Sequence, residues 1–364
     1  MTERESSYLI CRMENVGPVY YDRLLAYYGT AEAAWRAKTP PLSGKAAAEW
    51  QRFHEPETEA RFRRELEGLA ASGCRFLTRG DAEFPEAFRP LHDCPIGLFV
   101  RGRLPDPAMP AVAIVGARRC TPYGRNAAER FGRELAERGV AVISGMAEGI
   151  DAAGQWGALR AGGLSVAVLG SGIDVCYPRG NRGLYERLAE EGGILSEYGP
   201  GEAGLPFHFP VRNRLISALA QVVLVMEARE RSGSLITVDR ALEQGRDVLA
   251  LPGRVGDPLS AGCNHLIRQG AGILTCVEDI CEALHLEEKK ARHESAKVPE
   301  ETLPAELSED TQRVYELLAA APVHQDALAA QLGWPVPRIL ETLWELEAAG
   351  LCRAASSGTY LRDR

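Results

Sequence analysis

Lysine is absent from residues 111–284, the most regularly patterned stretch of this 364-residue chain. Any anion bound there must therefore be held by arginine, backbone amides or hydroxyl groups. The whole chain carries a formal net charge of -8, which argues against coating nucleic acid through bulk electrostatics. A local basic groove stays open, because the field that a ligand meets is local.

The chain also lacks long apolar runs, paired cysteine motifs and a leader pattern. Its longest apolar run, around Leu219–Met226, is far too short to span a bilayer. The first residues show no basic-then-apolar pattern, so we expect a cytoplasmic protein with no membrane partner. The nine cysteines contain no CxxC spacing, and an odd number favours free thiols over a disulfide framework or a zinc site. We therefore predict no metal.

From residue 111 onward, apolar runs alternate with amphipathic helical stretches. The runs are Val112–Val115, Val140–Ile143, Val166–Leu169, Ile194–Leu195, Val222–Val225, Val248–Leu251 and Ile273–Leu274. This alternation is typical of the α/β class, with a doubly wound parallel sheet. We assign this sheet to residues 111–284.

The flanking segments predict smaller units. Residues 1–72 read as a helical domain, and its turns at Val16–Pro18 and Leu42–Lys45 are similar to those of helix-hairpin-helix or sterile-alpha-motif modules, or of a small packing domain. Residues 73–110 form a connector with short strands. The charged stretch 285–305 has the composition of a solvated linker.

Residues 306–364 predict a winged helix. Two helices, a turn at Gly333–Pro335, a third helix and a terminal hairpin follow in that order. Only Arg338 stands against the acidic residues of the third helix, whereas a helix that reads the major groove should be basic. We therefore expect this winged helix to bind protein or to pack, and not to read DNA.

Glycine, serine and arginine cluster where the predicted strands end. Because the carboxyl ends of parallel strands meet at one edge of a sheet, these loops should form one anion site. The candidate residues are Gly116, Arg118, Arg119, Ser144, Gly145, Gly170, Ser171, Phe209, Arg212, Asn213, Arg214, Arg231, Ser232, Gly233, Ser234 and Arg254.

Individual side chains in these loops allow more than one role. Of Arg212 and Arg214, one can hold the ligand while the other pairs with a carboxylate such as Glu197. Phe207 and Phe209 precede them, and an aromatic ring beside arginine suits the stacking of unpaired bases; we favour Phe209. We expect Ser232 and Asp151 to cap helices.

Nucleotide cofactors are disfavoured by what these loops lack. The Gly170-Ser171-Gly172 turn has valine where the dinucleotide fingerprint needs its third glycine. No GxxxxGK[ST] pattern is present, and we predict no cofactor.

Several segments in this region resemble the bacterial DNA-processing protein A family (DprA, also called Smf). They are AIVGARRCTPYG, SGMAEGIDAAGQWGAL, AVLGSGIDVCYP, FPVRNRLIS, SGSLITVDRALEQGRDVLALPG and SAGCNHLIRQGA. The resemblance implies an extended Rossmann-like sheet that binds single-stranded DNA without sequence preference and is not an enzyme. It also implies a homodimer, here near Asn264, Ile267 and Ile273, and loading of the RecA recombinase during natural transformation. Glu148 and Gln155 depart from the arginine and histidine usual in the family.

Two other functions remain as alternatives. The first is a nucleotide-cleaving enzyme of the phosphoribohydrolase type, although its PGG-x-GT-x-x-E pattern is missing and Glu243 lies too late for that spacing. The second is a double-strand binder that uses its winged helix, with the sheet as a platform for dimerisation.

Overall fold

The computed structural model describes residues 1–37, 40–286, 308–318, 323–356 and 358–362. The chain divides into two compact units, residues 1–288 and 289–364. From position 287 onward, the predicted linker at 285–305 lies outside the described residues. Within those ranges, no helix combines the length and the apolar composition needed to cross a membrane.

The first unit begins with a group of short helices. They are α1 (Glu3–Cys11), α2 (Pro18–Tyr28), α3 (Ala31–Arg36), α4 (Gly44–Phe53) and α5 (Pro56–Gly68). Thr2 starts α1 with a capping box: its hydroxyl oxygen accepts from the backbone of Glu5, and the Glu5 carboxylate accepts from the backbone of Thr2. The buried side chains of these helices, such as Tyr8 and Trp50, belong to the same apolar cluster as Phe76 and Leu169 of the sheet. The helical region and the sheet therefore share a core.

The segment 73–110, predicted as a connector, contributes two strands, β1 (Cys74–Thr78) and β2 (Gly97–Gly102). They pair antiparallel with each other, and β2 also pairs antiparallel with a later strand of the main sheet. The segment is thus an antiparallel extension of one sheet edge.

Strands and helices then alternate as predicted, and every apolar run named above overlaps a strand, although Val140, Leu251 and Leu274 lie just outside. The elements are β3 (Ala111–Val115), α6 (Pro122–Glu137), β4 (Ala141–Ser144), α7 (Ile150–Arg160), β5 (Ser165–Leu169), α8 (Arg182–Glu191), β6 (Gly193–Ser196), α9 (His208–Leu219), β7 (Val222–Val225), α10 (Gly233–Glu243), β8 (Asp247–Ala250), α11 (Ala261–Arg268), β9 (Gly272–Ile273) and α12 (Val277–Ala283).

The nine strands of the first unit follow the order β1-β2-β6-β5-β4-β3-β7-β8-β9, and β3 to β9 are parallel to one another. The chain winds outward from β3 through β4, β5 and β6, and then returns to place β7 on the other side of β3. Ala113 packs with residues of α9 and α10 on one face, whereas Val112 and Ile114 pack with α6 on the other. The predicted doubly wound fold is confirmed.

The second unit has the predicted winged-helix order. Its elements are α13 (Glu309–Leu317), β10 (Val323–His324), α14 (Gln325–Leu332), α15 (Val336–Ala348), β11 (Cys352–Ser356) and β12 (Thr359–Arg362). The strands form a small sheet in the order β10-β12-β11.

Helix α15, in the position of a recognition helix, presents an acidic and apolar outer face. Trp344 is 72% exposed, and Glu341 lies one turn before it on the same exposed side. The single arginine of the helix, Arg338, donates to Asp310 from Nε at 2.9 Å and stacks on Trp334. Its charge is therefore already neutralised within the unit.

Candidate functional site

The predicted site loops all lie at one edge of the sheet. We use "carboxyl edge" for the residues that follow β3, β4, β5, β6, β7 and β8 in the chain. Because β3 lies between β4 and β7, the order of strands reverses beside it, and this is where open α/β sheets bind their ligands. The fold thus brings the separate motifs of the sequence together.

The loop after β3 is pressed tightly against the start of α7. Gly149 has a φ of 82°, and a side chain there would clash with the carbonyl oxygens of Ala117 and Arg118. A Cβ atom at Gly116 would lie 2.7 Å from Ile150. With its backbone held inside in this way, the loop exposes the side chains of Arg118 and Arg119.

Phe209 lies beneath Arg118 at the centre of the carboxyl edge. The guanidinium carbon of Arg118 is 5.8 Å from the centroid of the Phe209 ring, and that of Arg212 is 5.9 Å away. A Cβ atom on Gly170 would come within 2.8 Å of the ring, so the β5 loop touches it directly. The ring is only partly exposed. Phe209, which we favoured for base stacking, therefore mainly supports its neighbours.

Exposed aromatic surface belongs instead to two residues beside Phe209. Phe207 is 64% exposed and Tyr177 is 43% exposed. The Tyr177 ring lies 5.2 Å from that of Phe209, so the three rings stand in one area of the edge. Sequence reasoning missed Tyr177, although its segment follows a strand in the same way as the other site loops.

The structure buries Arg212, contrary to a direct role in ligand binding. Its Nη1 donates to the carbonyl oxygen of Gly145 at 3.0 Å and to that of Val168, at the ends of β4 and β5. Its Nε donates to the side-chain oxygen of Asn213 at 3.2 Å. Burial lowers the pKa of Arg212 to about 10, while Asp151 opposes that shift, so the side chain stays charged at neutral pH. Arg212 holds strand ends together.

Three more residues that we predicted to contact the ligand, at the ends of β4 and β5, face the interior of the protein. Ser144 is fully buried and donates from Oγ to the carbonyl of Ile114 at 2.6 Å. Gly145 lies under the Arg212 guanidinium, and Ser171 donates to the carbonyl of Val175 at 2.9 Å. Their polar groups are satisfied within the chain, so they shape the edge without facing a ligand.

We predicted that Asp151 caps α7, but Gly149 occupies the N-cap position. Instead, Oδ2 of Asp151 accepts hydrogen bonds from the backbone of Gly145 at 3.1 Å and of Ala147 at 3.4 Å. Burial raises the pKa of this carboxyl. Asp151 thus fixes the loop between β4 and α7 from within.

Arg214 is the member of the arginine pair that binds Glu197, as the sequence suggested. Nη1 and Nη2 donate to the two carboxylate oxygens of Glu197 at 2.6 and 2.9 Å. On the other side, Nε donates to Asp93 at 2.7 Å. Burial opposes the charge, but the two carboxylates hold the pKa of Arg214 above its ordinary value. Arg214 thus connects α9 to the loop before β2, through Asp93, and to the loop after β6, through Glu197.

The loop after β7 has the predicted helix start. Ser232 caps α10 by accepting from the backbone of Ser234 at 3.4 Å, and their hydroxyl oxygens are 2.8 Å apart. Gly233 and Arg231 are exposed beside this cap. Arg254, in the loop after β8, is exposed as well.

The start of α6, where a Rossmann fold would hold a nucleotide phosphate, is filled by the protein itself. Glu227 is 3% exposed, and its carboxylate accepts from the backbone of Thr121 at 2.8 Å and from its hydroxyl at 2.5 Å. The same side chain lies against Gly124 in the first turn. An anion already occupies this helix terminus, which excludes a phosphate from the same place.

The residues predicted for dimerisation differ in exposure. Asn264 uses its amide internally: its Oδ1 accepts from the backbone of Gly253 at 3.2 Å and its Nδ2 donates to the Gly253 carbonyl at 3.0 Å. Ile267 packs partly into the core. Ile273, by contrast, is 53% exposed on β9, the last strand of the sheet.

Comparisons with known proteins identify the family. Residues 75–285 match the family model of DNA recombination-mediator protein A. The chain belongs to this family. The flanks match two further models, a DprA-like N-terminal HHH domain at residues 3–67 and a DprA winged helix domain at 298–358.

Family members of known name align over much of the chain. DNA processing protein DprA of Streptococcus pneumoniae is 46% identical over 54% of this chain and 70% of its own length. Protein Smf of Escherichia coli is 41% identical over 79% of this chain and 77% of its own. An X-ray structure of DprA from S. pneumoniae superposes with a TM-score of 0.67 at 34% identity, covering 78% of this chain and 98% of that one. A structure of DprA from Helicobacter pylori, described for its single-stranded DNA binding mode, has a TM-score of 0.51 at 31% identity over 58% and 95% of the two chains.

Replacing Arg214 by alanine is expected to lower the free energy of unfolding by about 3 kcal/mol, because it leaves the Glu197 carboxylate without its cation. This is the low end for a buried pair, since Asp93 is 42% exposed and can be hydrated. The control is Arg182→Ala, whose side chain is 80% exposed and which should leave the free energy of unfolding nearly unchanged. Equal losses in urea denaturation of both variants would contradict the assignment.

Proposed function

We propose that this protein binds and protects single-stranded DNA along its carboxyl edge, without sequence preference. The observation that carries this proposal is a row of exposed arginines beside exposed aromatic rings. In a strand of unpaired nucleotides, the phosphates can bind the arginines and the faces of the bases can stack on the aromatic rings. Membership of a DNA recombination-mediator family supports the same reading.

The arginines of the edge differ from those of the outer helices. On the outer surface, Arg133, Arg160 and Arg182 each pair with a glutamate. No carboxylate among the described residues forms an ion pair with six exposed arginines of the loops that follow the strands: Arg118, Arg119, Arg179, Arg229, Arg231 and Arg254. A chain of net charge -8 thus presents several unpaired cations at this edge, where they attract a polyanion.

The aromatic residues explain why binding would not depend on sequence. Phe207 and Tyr177 present exposed ring surface, and every base has a face that can stack on an aromatic ring. Ser144, Gly145 and Ser171 at the strand ends contact other parts of the chain. Few side-chain groups there can therefore form hydrogen bonds with the edges of bases. The H. pylori relative is described as a single-stranded DNA binder, which agrees with this proposal.

The enzymatic alternative has no support in the site. Glu243, the carboxylate that it would need, lies at the far end of α10 and pairs with Arg240 at 2.7 Å. It is therefore remote from the carboxyl edge, and Glu227 fills the phosphate position on α6.

The Arg118→Ala variant is expected to bind oligo-dT about tenfold more weakly at low salt, the size of one charged hydrogen bond near 1.5 kcal/mol. Log affinity decreases with log salt, and the steepness of this decrease should be smaller by about 0.7, the value for one phosphate contact to a single strand. Arg133→Ala, on the outer part of α6, is the matched control and should leave both quantities unchanged. Wild-type protein that does not bind oligo-dT at low salt would refute the proposal.

The Phe207→Ala and Tyr177→Ala variants should each lose about 1–3 kcal/mol of binding free energy, the worth of one stacked base. Their salt slope should stay that of the wild type, because no phosphate contact is removed. Tyr177→Phe keeps the ring and should bind normally. Fluorescence anisotropy with labelled oligo-dT measures all three, and normal binding by both alanine variants would eliminate the stacking role.

We also propose a homodimer through the β9 end of the sheet. Ile273 and Leu242, which is 61% exposed, line a groove of about 500 Å³ there. Sedimentation should show a dimer at micromolar concentration, and the Leu242→Glu/Ile273→Glu variant should be a monomer, because charges cannot be buried unpaired. A monomeric wild type would contradict this interface.

The last part of the proposed function is the loading of RecA onto the bound strand during natural transformation. It rests on the family, whose members are described as recombination mediators. A strand coated with single-strand binding protein blocks RecA, so this protein should restore RecA-dependent ATP hydrolysis on it. No restoration would leave DNA binding standing and remove the mediator role.

A further inference from the structure

We infer that Arg12, in the N-terminal helical region, positions the aromatic loops of the carboxyl edge. Arg12 follows α1 directly and reaches the loop between β6 and α9, which ends in Phe207. The helical region would then act as a support for the DNA-binding edge. This inference rests on the proposed function.

The side chain of Arg12 is 9% exposed and lies between two carboxylates. Its Nε is 3.0 Å from Glu65 on α5, and its Nη1 binds Glu202 in the loop after β6. Its Nη2 donates to the carbonyl oxygen of Pro200 at 3.4 Å. A Cβ atom on Gly199 would overlap the Arg12 guanidinium group where it now lies, so the two groups are in direct contact.

Glu202 connects Arg12 to two loops, the one that ends in Phe207 and the one that carries Tyr177. Its carboxylate accepts from the backbone of Gly199 at 3.0 Å, which closes the turn that leads toward Phe207. Its carbonyl oxygen accepts from the backbone of Gly172 at 2.8 Å, in the loop that carries Tyr177. Asp174 of that loop accepts from Gly201 at 2.8 Å. The two loops are therefore tied to each other at the point where Arg12 holds them.

Arg12 is unsuited to contact DNA itself. It is buried, and Glu65 and Glu202 together offset its charge. Its neighbours Leu9 and Ile10 belong to the apolar cluster that includes Leu169 and Ile173, on either side of the β5 strand end. Arg12 thus acts through Glu202, as a positioning residue.

The test combines DNA binding with hydrogen exchange of the full-length protein. The Arg12→Ala variant should bind oligo-dT about 5- to 10-fold more weakly, the low end of the loss of one stacked base. Its salt slope should equal that of the wild type, and amides at 199–207 should exchange faster even without DNA. Arg36→Ala is the control, because Arg36 is 72% exposed in the same helical region.

A second variant guards against a general defect of the helical region. Glu202→Gln leaves the pair of Arg12 with Glu65 intact and should change affinity and exchange in the same direction. Normal affinity in both variants overturns the inference, even if exchange is faster. A salt dependence less steep by about 0.7 in Arg12→Ala would overturn it too, since Arg12 would then be a phosphate contact.

The proposed function and the inference can fail separately. If the wild type binds no oligo-dT, the proposed function fails. Unchanged hydrogen exchange at 199–207 in both variants would refute the role of Arg12 in positioning the loops.

Discussion

The structure of the carboxyl edge depends on the buried guanidinium group of Arg212. It donates to the carbonyl oxygens of Gly145 and Val168, at the ends of β4 and β5, where buried backbone acceptors need a partner. Phe209, one turn earlier on α9, is fixed by the same side chain, and Arg118 lies over that ring from the β3 loop. An interaction inside the protein therefore determines where an outward-facing arginine stands.

The polar groups of the edge divide into two classes with different tasks. Asp151, Arg212, Arg214 and Glu227 are buried: Arg214 binds carboxylates of neighbouring loops, and the other three bind backbone groups. The exposed arginines Arg118, Arg119, Arg179, Arg231 and Arg254 have no such partners among the described residues of the first unit, so their charge is available to a ligand. This division explains how an acidic protein can present a basic surface. It also explains why a small phosphate finds no site at α6, where Glu227 already satisfies the helix terminus.

Much of the fold could be predicted from the sequence because burial leaves a simple pattern. Val222–Val225 is apolar throughout because both faces of β7 are covered, and all four residues are buried. The cap at Ser232 was also predictable, because its hydrogen bond is local. The antiparallel strands β1 and β2 were less clear, because their place in the sheet is set by pairing with β6, far along the chain.

The direction of individual site residues could not be predicted, since it is set by packing between distant segments. Arg212 and Arg214 point to different sides of α9, and we expected one of them to be free. Both are buried, because strand ends cover one side while Asp93 and Glu197 cover the other. Likewise, nothing local distinguishes Phe209 from Tyr177. The contact of Gly170 with the Phe209 ring decides which of them is more exposed.

Photocross-linking tests the central claim most directly, because it reports where an unpaired strand lies on the protein. Oligo-dT that carries 5-iododeoxyuridine would be irradiated in complex with the full-length protein, and the linked peptides identified by mass spectrometry. Cross-links at Tyr177 or Phe207 are the predicted result. Cross-links confined to α15 of the winged helix or to helices α2 to α4 would contradict the account.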